Sequence, residues 1–245
     1  MRIFRERQER RKVRENIVIA TIKSWNVENT RKLEKILKNK YKVFLITKRE
    51  DLILEKMKIL QPQYIFFPHW SWIIPKEIYE NFECVVFHMT DLPFGRGGSP
   101  LQNLIQRKIY YTKISAIQVD EGIDAGKVYL KKDLYIGMGS AEEIFIKVSE
   151  IIFFEMIPWI LENRPTPCEQ RGEVVIFKRR KAEDSDIMKF DLQTLDDFYD
   201  FTRMLDAEGY PKAFIKLNGL KILFSEIHRK TNKLVGRFEV IVENE

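Results

Sequence analysis

The stretch "ECVVFHMTDLPFGRGGSP", Glu83–Pro100, reads as a strand that delivers a side chain to a loop. Cys84–Phe87 is a short apolar, β-branched run, and His88 stands at its end. Pro93, Gly95, Gly97 and Gly98 then punctuate a turn. Ser99-Pro100-Leu101-Gln102 has the pattern of a capping box with proline at the first helical position.

Working outward, "NIVIATI" (Asn16–Ile22), "YKVFLIT" (Tyr41–Thr47) and "QYIFFP" (Gln63–Pro68) are three further strand patterns. Helical patterns separate them, the first with Asn26 as its expected cap. Strands alternating with helices predict βαβ units, and hence an α/β, Rossmann-like parallel sheet. Such sheets place ligands beyond the carboxyl ends of their strands. His88, the "HWSWIIP" segment (His69–Pro75) and the "SWN" loop (Ser24–Asn26) all fall at that edge. Ser140 and Glu143 mark a second capping box, opening a long helix to about Leu161.

Residues 162–173, "ENRPTPCEQRGE", read as a linker with two prolines and no periodicity. Beyond it lie a strand and charged loop, a helix capped by Thr194, and a hairpin marked by Asn218-Gly219. A last strand reads as "RFEVIVE", Arg237–Glu243. The expected organisation is a leader over 1–15, a catalytic domain over 16–161, the linker, and a small α+β appendage over 174–245.

The 245 residues are 44% hydrophobic and 32% charged, with a net charge of +6. Residues 1–15 hold seven Arg/Lys against three Glu, so the remaining chain is close to neutral and nucleic acid is not the expected partner. No apolar run approaches the roughly 20 residues of a membrane span. The N-terminus has charge where a signal peptide is apolar. Cys84 and Cys168 form neither a disulfide framework nor a zinc pattern. The expectation is a cytoplasmic protein without a metal, and a homodimer stays open.

Taken alone, a histidine at a strand end is as compatible with packing as with catalysis, although imidazole titrates near neutrality. A second motif, "QVDEGIDAGKVY" (Gln118–Tyr129), crowds Asp120, Glu121 and Asp124 into a turn with Gly122 and Gly126. That turn is equally a solvated acidic loop, unless a carboxylate meets the imidazole and fixes its tautomer.

Together, "FHMTDLPFGRGGSP" and "AIQVDEGIDAGKVYLKK" resemble the folate-dependent formyltransferase family over roughly residues 17–161. The resemblance implies formyl transfer from N10-formyltetrahydrofolate to an amine. His88 falls on the family's catalytic histidine and Asp124 on its aspartate. Trp72 and Ile74 match backbone positions that hold the pterin, and Val119, Asp120, Glu121 and Gly122 match the loop that closes on it. Pro93, Arg96 and Gly97 match the family's turn. The family's asparagine, two residues before the histidine, is here Val86, which cannot donate to an oxyanion. Loss of one such donor costs about 10²–10³ in rate. Thr90, Gln102 and Asn103 are the candidates to replace it, with Asn103 preferred.

The tail resembles that of nucleotide-sugar N-formyltransferases. This implies a nucleotide-linked 4-amino-4,6-dideoxy sugar as acceptor, of the kind used in surface glycans or pseudaminic acid. Arg179, Arg180, Arg203 and Tyr210, with Ser24, Trp25, Asn26 and Arg96, are then candidate substrate contacts. A methionyl-tRNA formyltransferase-like enzyme, a formate-releasing hydrolase and a non-catalytic folate or sugar-nucleotide binder remain the alternatives.

Overall fold

The structure, a computed structural model, describes residues 14–242. The basic leader expected over 1–15 lies outside the described residues up to position 13. The described chain falls into two compact units, one ending at Cys84 and one beginning at Val85.

The first unit contains β1 (Glu15–Ala20), α1 (Ser24–Leu37), β2 (Tyr41–Ile46), α2 (Leu54–Leu60), β3 (Tyr64–Phe67) and α3 (Lys76–Tyr79). β1 pairs in parallel with β2 on one side and with β3 on the other. Ile17, Val18, Ile19 and Ala20 are fully buried, as a strand covered on both faces requires. Asn26 does not cap α1, because the helix begins two residues earlier at Ser24. Its amide instead donates to the Thr21 hydroxyl (2.9 Å) and the Pro68 carbonyl (3.1 Å), lacing the end of β1 to the end of β3.

β4 (Cys84–His88) leads into the second unit, followed by β5 (Phe94–Gly97), α4 (Pro100–Gln106), β6 (Tyr111–Gln118) and β7 (Val128–Tyr135). β4, β6 and β7 pair antiparallel, with His88 opposite Ser115. The parallel reading therefore applies to β1–β3, and the chain reverses by turns after His88.

The Ser140–Glu143 capping box is present, with both reciprocal bonds made (3.2 and 2.8 Å). It opens α5 (Ala141–Ile151), which passes through a wider π-type turn at Ile152–Met156 into α6 (Ile157–Asn163). Pro158 sits in the first turn of α6, where it lacks the N–H that would continue the ladder.

The expected linker is pinned rather than free. Cys168 and Val128 exchange backbone bonds of 2.9 and 2.7 Å. β8 (Val175–Phe177) then pairs in parallel with β5, so a strand expected in the appendage backs the glycine-rich turn. α7 (Leu195–Arg203) has the Thr194 cap. β9 (Ala213–Leu217), β10 (Leu220–Arg229) and β11 (Leu234–Val242) form an antiparallel sheet in the order β11-β10-β9. Asn218 and Gly219 both take positive φ (49° and 80°) at the β9–β10 turn, as this dipeptide predicts.

Arg203 anchors α7. It is 2% exposed and donates to Asp200 (2.8 Å) and to the carbonyls of Ile136 and Gly139 (3.0 Å each). Truncating one side of such a buried pair costs about 3–5 kcal/mol.

His69, at the end of β3, gives the first unit an acid-sensitive group. Burial, with Lys23 adding to it, pushes its pKa down to about 4 from 6.5. The folded state thus holds it neutral where the unfolded state binds a proton, so its contribution to stability is lost as pH falls from about 6.5 to about 4. Across that window the melting temperature should fall on the order of a few °C further in the parent than in His69→Asn. Melting curves with identical pH dependence in the two proteins would contradict this.

Candidate functional site

The second unit brings His88 and Asp124 together. His88 is 8% exposed at the end of β4, and its Nδ1 lies 3.4 Å from Asp124 Oδ2. Its Nε2 is 2.7 Å from the Gly95 carbonyl. A carbonyl only accepts, so Nε2 carries the hydrogen in that contact. The Thr90 hydroxyl points to the same carbonyl at 3.4 Å, and Ser115 donates to the Thr90 carbonyl at 2.7 Å. The imidazole is therefore held on two sides in a fixed orientation.

Asp124 is held as firmly. Its backbone adopts φ +52°, a conformation that non-glycine residues seldom take, and the Gly97 N–H donates to its Oδ2 at 2.9 Å. Gly97 can serve because it has no side chain. Its φ is +102°, and a Cβ there would lie 2.5 Å from the Phe177 carbonyl on β8. Phe177 itself is buried, edge-on to Phe94 (5.5 Å), with the Arg107 guanidinium over its ring (4.6 Å).

Gln170 ties the two motifs to each other. Its amide donates to the carbonyls of Asp124 and Gly126, both at 2.8 Å. Its carbonyl accepts from Arg96 Nε (3.1 Å) and Nη2 (2.8 Å). Sequence reasoning missed Gln170 because it lies in an aperiodic, proline-flanked stretch with no local signal. It also missed Lys131, which bonds Asp91 (2.5 Å) and the Leu92 carbonyl and so braces the turn after His88.

Several expected contacts have structural duties instead. Asn103 does not offer a donor to an oxyanion: its amide points at the carbonyls of Gly98, Ser99 and Lys178 (3.0–3.1 Å). Gln102 is not part of a capping box, and its amide donates to the Met204 carbonyl at 2.9 Å. Ser99 takes a left-handed conformation (φ 52°), and its hydroxyl accepts from the Arg180 N–H instead of closing the box. Thr90 is turned to Gly95. The side chains weighed as replacements for the donor lost at Val86 are thus all occupied within the fold.

Arg96 is bound to Gln170, and buried Arg203 to its own carboxylate and carbonyls. Arg180 lies over Phe190 and Phe201 (5.5 and 5.7 Å), where burial pulls its pKa down. Tyr210 stacks on Phe145 (5.3 Å), and burial pushes its phenol up to about 12. These four are positioning or packing groups in this geometry. Arg179 is exposed.

Val119, half-buried, and Asp120, Glu121 and Gly122, exposed, precede Asp124 on one turn, where Asp120 accepts from the Gly122 N–H at 2.9 Å. In the first unit, Trp72 lies edge-on to Trp70 (4.7 Å) and Ile74 is buried. Ser24 is exposed, Trp25 is half-buried against His69 (6.2 Å), and Asn26 is buried in its lacing bonds. The indole N–H groups of Trp25 and Trp70 are buried with no hydrogen-bond partner.

The family described as methionyl-tRNA formyltransferase, C-terminal domain, matches residues 182–241. A solved structure, methionyl-tRNA formyltransferase from Clostridium thermocellum, is 55% identical with a TM-score of 0.90, covering 94% of this chain and 100% of that one. Among curated proteins, methionyl-tRNA formyltransferase of Campylobacter lari is 28% identical, covering 81% of this chain and 66% of that protein. The Thermodesulfovibrio yellowstonii enzyme is 29% identical over 57% of this chain and 47% of its own length. The chain thus spans about half to two thirds of these curated relatives. A sugar N-formyltransferase from Shewanella sp. shares the fold at 15% identity and a TM-score of 0.67, covering 90% of this chain and 99% of that one.

Removing the Gln170 amide tests its role as the clasp. Gln170→Ala leaves the Asp124 and Gly126 carbonyls and the Arg96 guanidinium without their shared partner, and should lower stability by about 1–3 kcal/mol in urea unfolding. An unchanged midpoint would show that the loop holds itself.

Proposed function

The chain belongs to the folate-dependent formyltransferase family, and we propose that it formylates the amino group of methionyl-tRNA. The observation that carries formyl transfer is the His88–Asp124 contact beside Gly97. The choice of acceptor rests on the 55% identity that spans the whole of the C. thermocellum chain. The nucleotide-linked amino sugar expected from the sequence has support only at the level of fold, from relatives near 15% identity.

Charge supports a polyanionic acceptor. The near-neutral average of the chain conceals a local excess: residues 212–237 carry seven Lys/Arg and one Glu. The acidic residues that cancel it lie earlier, around α7. Lysine and arginine grouped on one short sheet suit a phosphate backbone, with affinity that falls as salt rises.

The formyl donor of this family is N10-formyltetrahydrofolate, and the residues present fit it. On the segment after β3, the orphaned Trp70 N–H stands near Trp72, and Ile73 is 89% exposed. An apolar ledge beside a buried, unpartnered donor suits a flat, hydrogen-bonding heterocycle, with Trp72 and Ile74 as its backbone contacts. When bound, the folate supplies the formyl carbon that the acceptor nitrogen attacks.

The chain's own part is to hold and move a proton. The Asp124 side chain is the more accessible partner, at 20% against 9% for His88. Asp124, or a water on it, meets the proton that the amine releases, and His88 Nδ1 exchanges it across the 3.4 Å contact. Once it carries the proton, His88 Nδ1 is the donor nearest to hand for developing negative charge, since Nε2 is held on the Gly95 carbonyl and Val86 cannot serve. Such acid–base assistance is worth about 10²–10⁴-fold.

The test offers formyl donor with methionyl-tRNA, with nucleotide-linked amino sugars, and with neither. Formyl-methionyl-tRNA should form, and His88→Ala should lower kcat by about 10²–10⁴. Formylation of the sugar amine alone would overturn the acceptor. Acceptor-independent release of formate, or no turnover at all, would overturn formyl transfer.

A further inference from the structure

β11 is an edge strand whose only charged side chains are Arg237 and Glu239. Among the described residues it pairs only with β10, and it carries no lysine or proline. Edges of this kind are ordinarily blunted by lysine, proline or a bulge. The one bulge here, at Ser225–His228, lies on β10, so β11 runs unbroken.

Register places the apolar side chains on one face. Phe238, Val240 and Val242 stand opposite Phe224, Ile222 and Leu220, which in turn face Ala213, Ile215 and Leu217. Phe198 of α7 covers Phe224 edge-on at 5.7 Å and Ala213 is buried, so the open part of the face lies along β11 and the β9–β10 turn. Phe238 is 65% exposed, Val240 50%, Val242 68% and Leu217 53%. Contiguous apolar surface of this extent marks an interaction site.

The order of residues along β11 identifies the partner. We infer that β11 pairs antiparallel with β11 of a second copy of this chain, about a two-fold axis at Phe238. Leu234–Val242 is centred on Phe238, and in that register Arg237 stands opposite Glu239 of the second copy, twice by symmetry. Val235 then meets Ile241, Leu234 meets Val242, and the two Phe238 rings meet each other at the axis. A shift in register by one pair sets Arg237 against an apolar or like-charged residue. Opposite charges directly across an antiparallel pair stabilise it, and like charges destabilise it. A self-complementary patch is what a two-fold dimer requires.

The present partners of these charges do not prevent the exchange. Arg237 meets Glu226 at 3.5 Å and Glu239 meets Lys212 at 3.4 Å, both at the surface. Exposed pairs of this kind contribute little and are readily replaced. Two copies joined in this way form one six-stranded sheet, with the apolar face continuous across the axis.

Sedimentation equilibrium of the full chain tests the inference without reference to catalysis. The parent should be dimeric at about 100 μM, and Arg237→Glu, which sets like charges opposite, should weaken association at least about tenfold. Arg237→Glu with Glu239→Arg restores the cross-strand pairs and should return association to within about threefold of the parent. Circular dichroism of each variant reports whether the exposed substitution has disturbed the fold. A monomeric parent overturns the inference, as does a double variant no better than the single one. Equal masses throughout, with Arg237→Glu weakening retention of RNA, would also overturn it and assign the strand to the acceptor.

Discussion

Two backbone carbonyls of a left-handed turn, those of Asp124 and Gly126, end on the side-chain amide of Gln170, whose oxygen takes both nitrogens of Arg96. This clasp matters because Asp124 is held at φ +52°, where the intrinsic preference of the residue opposes it. The turn persists because it is bonded from both sides, by Gln170 at its carbonyls and by the Gly97 N–H at its carboxylate. Arg96 and Gly97 lie on β5, so the same amide fixes the separation of the histidine-bearing and aspartate-bearing segments. The imidazole contact is a consequence of that geometry.

The clasp also accounts for the course of the chain after α6. Residues expected to form a loose connection are drawn along β7 by Cys168 and Val128, and β8 then lies beside β5. Phe177 fills the space that the glycines of the turn leave open, and full burial of such a ring is worth about 1.5–3 kcal/mol. Connection and candidate site are one packing unit. The helix that follows is fixed to it by Arg203, whose buried guanidinium takes the carbonyls of Ile136 and Gly139.

Much of this was legible in the sequence, and the parts that were not have physical reasons. The strands of the first unit, the Ser140 and Thr194 caps and the Asn218-Gly219 hairpin follow from local patterns, since periodicity and turn chemistry act over a few residues. His88 and Asp124 were legible as a pair because two motifs at a fixed separation resemble a known family. The roles of Gln102, Asn103 and Arg203 were misread because their partners lie far along the chain, at Met204, Lys178 and Ile136. An amide is equally able to cap, to donate to a ligand or to bond a distant carbonyl, and residue type does not choose among these. Asn26 lies three residues past the cap of α1 at Lys23, because helix starts are weakly marked in sequence. The charge of the last sheet was hidden by averaging over a chain whose acidic and basic segments cancel.

The central claim is that Asp124 acts through its charge on His88, and not merely as a bracket for the Gly97 N–H. Asp124→Asn separates the two, because the amide oxygen can still accept from Gly97 while the charge facing the imidazole is gone. The most direct measurement is the single-turnover rate of formyl transfer at saturating substrates in this variant. The rate should fall by about 10²–10⁴, with substrate binding and unfolding midpoint near those of the parent. A rate within tenfold of the parent would show that the carboxylate is a structural bracket and that the proton moves by another route.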